Sequence, residues 1–164
     1  MASGRVQNTW CVALLRFLLA AWVGAAVLYV ITSVAEQISP DFDSRIRDQL
    51  ATIRFPIYYK FGAFIYGATA VLAVAVWRLQ PESHRHIITL GLIAVSGAIY
   101  AWDYFQIYVP LQELITPPGQ VRTQEFVRLH TLSRNVNVIH LSMMLIAGLI
   151  SCVPASTTPE PAAD

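Results

Sequence analysis

Charge is what this sequence has least of: Asp, Glu, Lys and Arg make up 13% of its 164 residues, against about 25% in soluble proteins. With a formal net charge of +1 there is no broad basic surface for a polyanion, and no nucleic-acid partner is expected. Cysteine is scarce too. Cys11 and Cys152 lie in or beside apolar runs with no CxxC or histidine spacing around them, which reads as apolar filler rather than a disulfide or metal pair. Templates for catalysis are also missing: no GxSxG, HExxH, glycine-rich phosphate loop or paired carboxylates on one helix, so no enzyme is expected. What fills the chain instead is 55% hydrophobic with a mean hydropathy of +0.52, the composition of an integral membrane protein.

A spanning helix needs about 20 mostly apolar residues. Four stretches qualify, over about 17–35, 57–79, 87–109 and 130–153, with mostly apolar cores at Phe17–Ala35, Phe61–Leu79, Ile87–Val109 and Val136–Val153. Proline-containing breaks separate them at Ser39-Pro40, Gln80-Pro81 and Thr116-Pro117-Pro118. The expected fold is all-α: an integral membrane four-helix bundle forming a single domain over 1–153, with a disordered Pro-rich tail over 154–164. The first stretch ends in Ser33-Val34-Ala35, a small-x-small pattern like a cleavage site. Its apolar core nevertheless exceeds the roughly 7–15 residues of a secretory signal, so retention is expected.

Between the first two spans, Phe42, Ile46, Leu50 and Ile53 recur at helical spacing while Arg45, Arg47, Asp48 and Arg54 face elsewhere. With Asp41 as cap, this predicts a short interfacial amphipathic helix. Phe126, Leu129, Leu132 and Val136 lead into the fourth span without a break, placing its start near Thr123. Ala63-xxx-Gly67 and Ala94-xxx-Ala98 are candidates for close approach of the second and third helices.

An even number of spans puts both termini on one side, here side A. Side B carries Arg45, Arg47, Arg54, Lys60, Arg122, Arg128 and Arg134, against Arg5, Arg16, Arg78 and Arg85 on side A. The positive-inside rule then favours side B in the cytoplasm. If Lys60, Arg128 and Arg134 were inside the bundle, the two sides would balance.

The fourth span spends polar side chains in an unusual way. At 100° per residue, Ser133, Asn137, His140 and Met144 fall within about 80° of His130, forming a stripe about 21 Å long. Unpaired in lipid each polar group costs several kcal/mol, so the stripe is expected to face the bundle interior or a water-filled cavity. Asp103, near the side-B end of the third span, is expected to pair with Arg134 or His130, as a structural ion pair or as part of a relay with His140. No metal or cofactor is expected. His130 and His140 are about 15 Å apart along one helix, too far to share an ion, and His84 and His86 lie across the membrane from His130.

Two segments, RFPIYYKFG (Arg54–Gly62) and EFVRLHTLSRNVNVI (Glu125–Ile139), resemble the paired signatures of the transmembrane protein 205-like family, four-span proteins built around a domain of unknown function. The matching positions are Phe55, Pro56 and Tyr58, then Phe126, His130, Ser133 and Asn137. Pro110 is similar to the family's proline after the third span, and Leu111 stands where the family typically has arginine. The resemblance implies four spans, a retained first span, and importance for His130, Ser133 and Asn137, without a reaction. Because Phe55-Pro56 suits a helix start, both signatures open helices at the side-B surface, and a Tyr58 or Tyr59 hydroxyl is expected near His130 or Asn137.

Two readings of function stand. One is a non-enzymatic multi-pass protein of the cell or inner membrane whose polar cluster is structural or docks a partner, the bilayer and a second copy or another membrane protein being its partners. The other is a small transporter or proton/ion conduit using an intramembrane Asp/His/Asn relay.

Overall fold

The computed structural model describes residues 2–153, with side chains from residue 9 onward; Arg5 and the tail expected to be disordered lie outside the described side chains and residues, respectively. The order is α1 (Ala2–Ile38), α2 (Ser44–Leu79), α3 (His84–Asp103), a π-helical turn (Tyr104–Tyr108), α4 (Val109–Leu114) and α5 (Gln124–Cys152). Four helices are long and apolar enough to cross a membrane: Thr9–Ile38, Ser44–Leu79, His84–Leu114 and Gln124–Cys152. Each packs on its neighbour in sequence, and α5 closes the ring on α1, giving an up-and-down four-helix bundle.

The expected interfacial helix is helical but not separate. α2 is one continuous helix of 36 residues that passes through Pro56. Its cap is Asp43, whose Oδ1 accepts from the Ile46 amide at 2.8 Å, rather than Asp41. A mid-helix proline costs about 3 kcal/mol, so something must hold the turns before it. The end of α1 does so. Arg54 pairs with Glu36, donates to Thr32 Oγ1 at 2.9 Å and lies 5.0 Å over the Tyr29 ring, which meets the edge of Phe55 at 5.4 Å.

Pro110 is accommodated differently. The turn before it widens, and the Val109 amide bonds to the Tyr104 carbonyl, five residues back. That wider turn relieves the clash a proline ring makes with the carbonyl four residues earlier. At the start of α5, Thr123 accepts from the Phe126 amide at 3.1 Å, where the amphipathic pattern placed the helix start.

A loop between α4 and α5 is tied to α2 through Asp48, which is 1% exposed. Its Oδ2 accepts from the Gly119 amide at 2.8 Å, and its Oδ1 pairs with Arg122. Asp48→Ala removes both acceptors and strands the amide. Because Arg122 keeps access to water, a loss of about 1–3 kcal/mol is expected, read as faster proteolysis within residues 115–123.

The exterior is apolar: Phe17, Leu28, Ile31, Phe64, Val71, Val95, Phe105 and Leu149 all face outward. Ala63, Gly67, Ala94 and Ala98 also face outward, and a Cβ at Gly67 would meet nothing within 4 Å, so these pairs do not bring helices together. Close approach occurs at Gly62 instead. A Cβ there would lie 2.2 Å from the Tyr100 hydroxyl and 2.7 Å from Trp22.

Candidate functional site

The interior inverts the exterior. On α3 the buried positions are His86, Thr89, Ile93, Ser96, Tyr100 and Asp103, at alternating three- and four-residue steps, and all but Ile93 are polar. This seam runs about 26 Å along the helix at 1.5 Å per residue, most of a hydrocarbon core about 30 Å thick.

At its centre α2, α3 and α5 are joined by side-chain hydrogen bonds. Asn137 Nδ2 donates to the Ser133 carbonyl at 2.9 Å and to Ser133 Oγ at 3.3 Å, which leaves Oδ1 as an acceptor. That oxygen accepts from the Tyr58 hydroxyl at 3.3 Å and lies 3.0 Å from His140 Nε2. Since an amide oxygen only accepts, the His140 proton sits on Nε2. Nδ1 is then free to accept from the Tyr66 hydroxyl at 3.2 Å. Tyr66 Oη is also 2.8 Å from Ser96 Oγ, whose one proton goes either to that oxygen or to the His140 carbonyl at 3.0 Å. His140 and Ser96 are fully buried.

Aromatic rings enclose this network. Trp22 of α1, fully buried, lies within 6.4 Å of the rings of Tyr58, Phe61, Tyr66, Tyr100 and His140. Tyr59, Tyr104 and Tyr108 continue the cluster toward side B. The Tyr100 hydroxyl donates to the Tyr59 carbonyl at 2.7 Å, through the gap that Gly62 leaves.

Asp103 sits at the side-B end of the seam with 0% exposure. Its partner is neither Arg134 nor His130. Among the described residues no Lys, Arg or His forms an ion pair with it, and Arg134 and His130 both lie on the outside of α5. Instead the Tyr59 hydroxyl donates to Oδ2 at 2.5 Å. Ser133 is the α5 side chain beside the carboxyl, but Oδ1 has no well-formed hydrogen bond.

The residues expected to form a site are thus divided. Tyr58, Ser133, Asn137 and His140 come together in one network, as the stripe and the two segments at the starts of helices suggested. Phe55 and Pro56 are half-buried, and Phe55 touches Tyr29 of α1 and, at 6.1 Å, Tyr108 of the π-helical turn. His130 leaves the stripe: it stacks on Phe126 at 5.7 Å, while Leu129 takes the inward position beside Ile107 and Val136. Tyr66, Ser96, Tyr100, Trp22 and Gly62 were not singled out as site residues, and Tyr59 reaches Asp103 rather than His130 or Asn137. The three- and four-residue spacing of polar groups along α3 was the signal that could have found part of this set. Among the described residues no three His, Cys, Asp or Glu side chains gather as a metal site.

No protein-family model, no curated protein and no solved structure matches the chain.

Proposed function

We propose that this is a multi-pass integral membrane protein, non-enzymatic, whose polar interior clamps its helices together in place of the hydrophobic force that lipid does not supply. The observation that carries this reading is the closure of the central network: Tyr58, Tyr66, Ser96, Asn137 and His140 bond to one another across three helices. Beyond it toward side A, Ile93 interrupts the α3 seam and Met144 and Ala147 fill the α5 face, all buried. The segments Arg54–Gly62 and Glu125–Ile139 support placing the chain with the transmembrane protein 205-like family, whose shared positions Tyr58, Ser133 and Asn137 would then be the clamp.

Lys60, Arg128 and Arg134 are exposed rather than interior, so all seven side-B cations enter the orientation count. That supports side B in the cytoplasm of a cell or inner membrane. The exposed cations and His130 there would meet lipid headgroups, and a second copy or another membrane protein.

A conduit is the second reading, and the length of the polar seam on α3 is what favours it. The two separate in liposomes. On the clamp reading the parent passes no more protons than protein-free vesicles, and His140→Leu lowers bundle stability by about 1–3 kcal/mol because it takes one hydrogen bond from each of Tyr66 and Asn137. Proton flux in the parent that vanishes in Thr89→Val, with folded yield intact, would overturn the clamp.

A further inference from the structure

The carboxyl of Asp103 has no structural explanation in the clamp. It is fully buried, no cation pairs with it, and only one of its two oxygens is hydrogen-bonded. An ionised carboxylate in that position carries an uncompensated charge, which is among the most costly burials a protein can make. A bound metal cation would need about six oxygen ligands, whereas the side-chain oxygens beside this carboxyl are those of Tyr59 and Ser133. The ligand that fits is smaller.

We propose that Asp103 is a proton-binding site whose carboxyl holds an exchangeable proton, taken from and returned to water on side B. The neighbours set where that proton sits. Tyr59 donates to Oδ2, so the acid proton belongs on Oδ1, on the side of the half-buried Ser133. α2 presents the phenols of Tyr58 and Tyr59, and α3 itself adds Tyr100. The π-helical turn adds Tyr104 and Tyr108 around Tyr59, at ring distances of 5.3 and 4.3 Å, and α5 adds Ser133. None of these is a cation. Release is a simple ionisation: the O–H bond at Oδ1 breaks, the proton passes to water, and a carboxylate remains, with Arg134, next in sequence to Ser133, on the outside of the same end of α5. The π turn starts at the residue after Asp103, and such turns recur where a helix must shift register for function. This inference needs no conduction and stands under either reading above.

Infrared spectroscopy of the full chain in liposomes tests it, using aspartate labelled with carbon-13 so that an aspartic acid carbonyl band moves and a glutamic acid band does not. The expected result is an isotope-shifted protonated-acid band at neutral pH that exchanges in deuterated water, disappears on alkalinisation, and is absent in Asp103→Asn. Tyr59→Phe should shift the band by removing the donor to Oδ2. If Asp103→Asn does not fold, the labelled chain carrying Asp164→Asn decides alone, because Asp41 and Asp43 are exposed and Asp48 is ion-paired. No isotope-shifted acid band at neutral pH, a band that neither exchanges nor titrates, or one that persists in Asp103→Asn would each overturn the assignment.

Discussion

Trp22→Ala is expected to destabilise the bundle by about 3 kcal/mol, more than a hundredfold in the equilibrium between packed and separated helices. Replacing a buried tryptophan by alanine costs about 3–5 kcal/mol in soluble cores, as lost transfer energy plus the cavity left behind. Here the separated helices keep their tryptophan in lipid, so the transfer part shrinks and the lower end applies. What remains is contact. Trp22 is the α1 ring that meets His140, Tyr66 and Tyr100, and its removal opens the centre of the aromatic cluster. The indole Nε1 lies beside the Tyr66 hydroxyl without a well-formed hydrogen bond, so Trp22→Phe should lose mainly volume and fall between parent and alanine variant. Titration with a denaturing detergent, followed by near-ultraviolet dichroism of the aromatic cluster, measures both. A Trp22→Ala protein as resistant as the parent would show that α1 is not packed through this residue.

Gly62→Ala is the second large effect. The new methyl would overlap the Tyr100 hydroxyl at 2.2 Å and Trp22 at 2.7 Å. Tyr100 cannot withdraw without giving up its hydrogen bond to the Tyr59 carbonyl. Overpacking of this kind costs about 1–3 kcal/mol, and the lost hydrogen bond adds about 1 kcal/mol. Tyr100→Phe removes the hydroxyl that the methyl strikes, so the double variant should be less destabilised than the sum of the two singles. By contrast Gly67→Ala, on the outside with no atom within 4 Å, should leave stability unchanged. The same detergent titration separates these outcomes, and equal losses at both glycines would contradict the placement of α2.

The contrast between those two glycines also explains what could be read in advance. The Ala63-xxx-Gly67 pattern has the right residue types and the wrong phase: Gly62 lies about 100° round the helix from Ala63. Only the tyrosine across the interface identifies it. Four spans, the start of α5 at Thr123 and the Tyr58–Asn137 contact were legible because each depends on local pattern: apolar length, a capping residue, and two segments at the same depth. The separate interfacial helix was misread because Pro56 was taken as a boundary. In the fold, contacts from Arg54 and Phe55 to the end of α1 carry the helix through it.

Partners across helices were harder. Asp103 was expected to seek a positive charge, but a tyrosine hydroxyl two helical turns from Tyr66 on the same helix reaches it first. His130 and Asn137 are seven residues apart and so nearly share a face. At that end, however, Leu129 and Val136 are the side chains that fit against Ile107, and their inward turn rotates the imidazole out. The seam on α3 was overlooked because its hydroxyls and phenols are scattered among enough Ile, Leu and Ala to leave the segment reading as uniformly apolar.

An interior made of phenols, amides and imidazole, wrapped in leucine and valine, has a thermal consequence. When such helices part inside a bilayer, little greasy surface is newly wetted, so the heat capacity barely rises. The stability curve should therefore be nearly straight with temperature rather than domed, and chilling should tighten this assembly where it would loosen a water-soluble bundle of the same size.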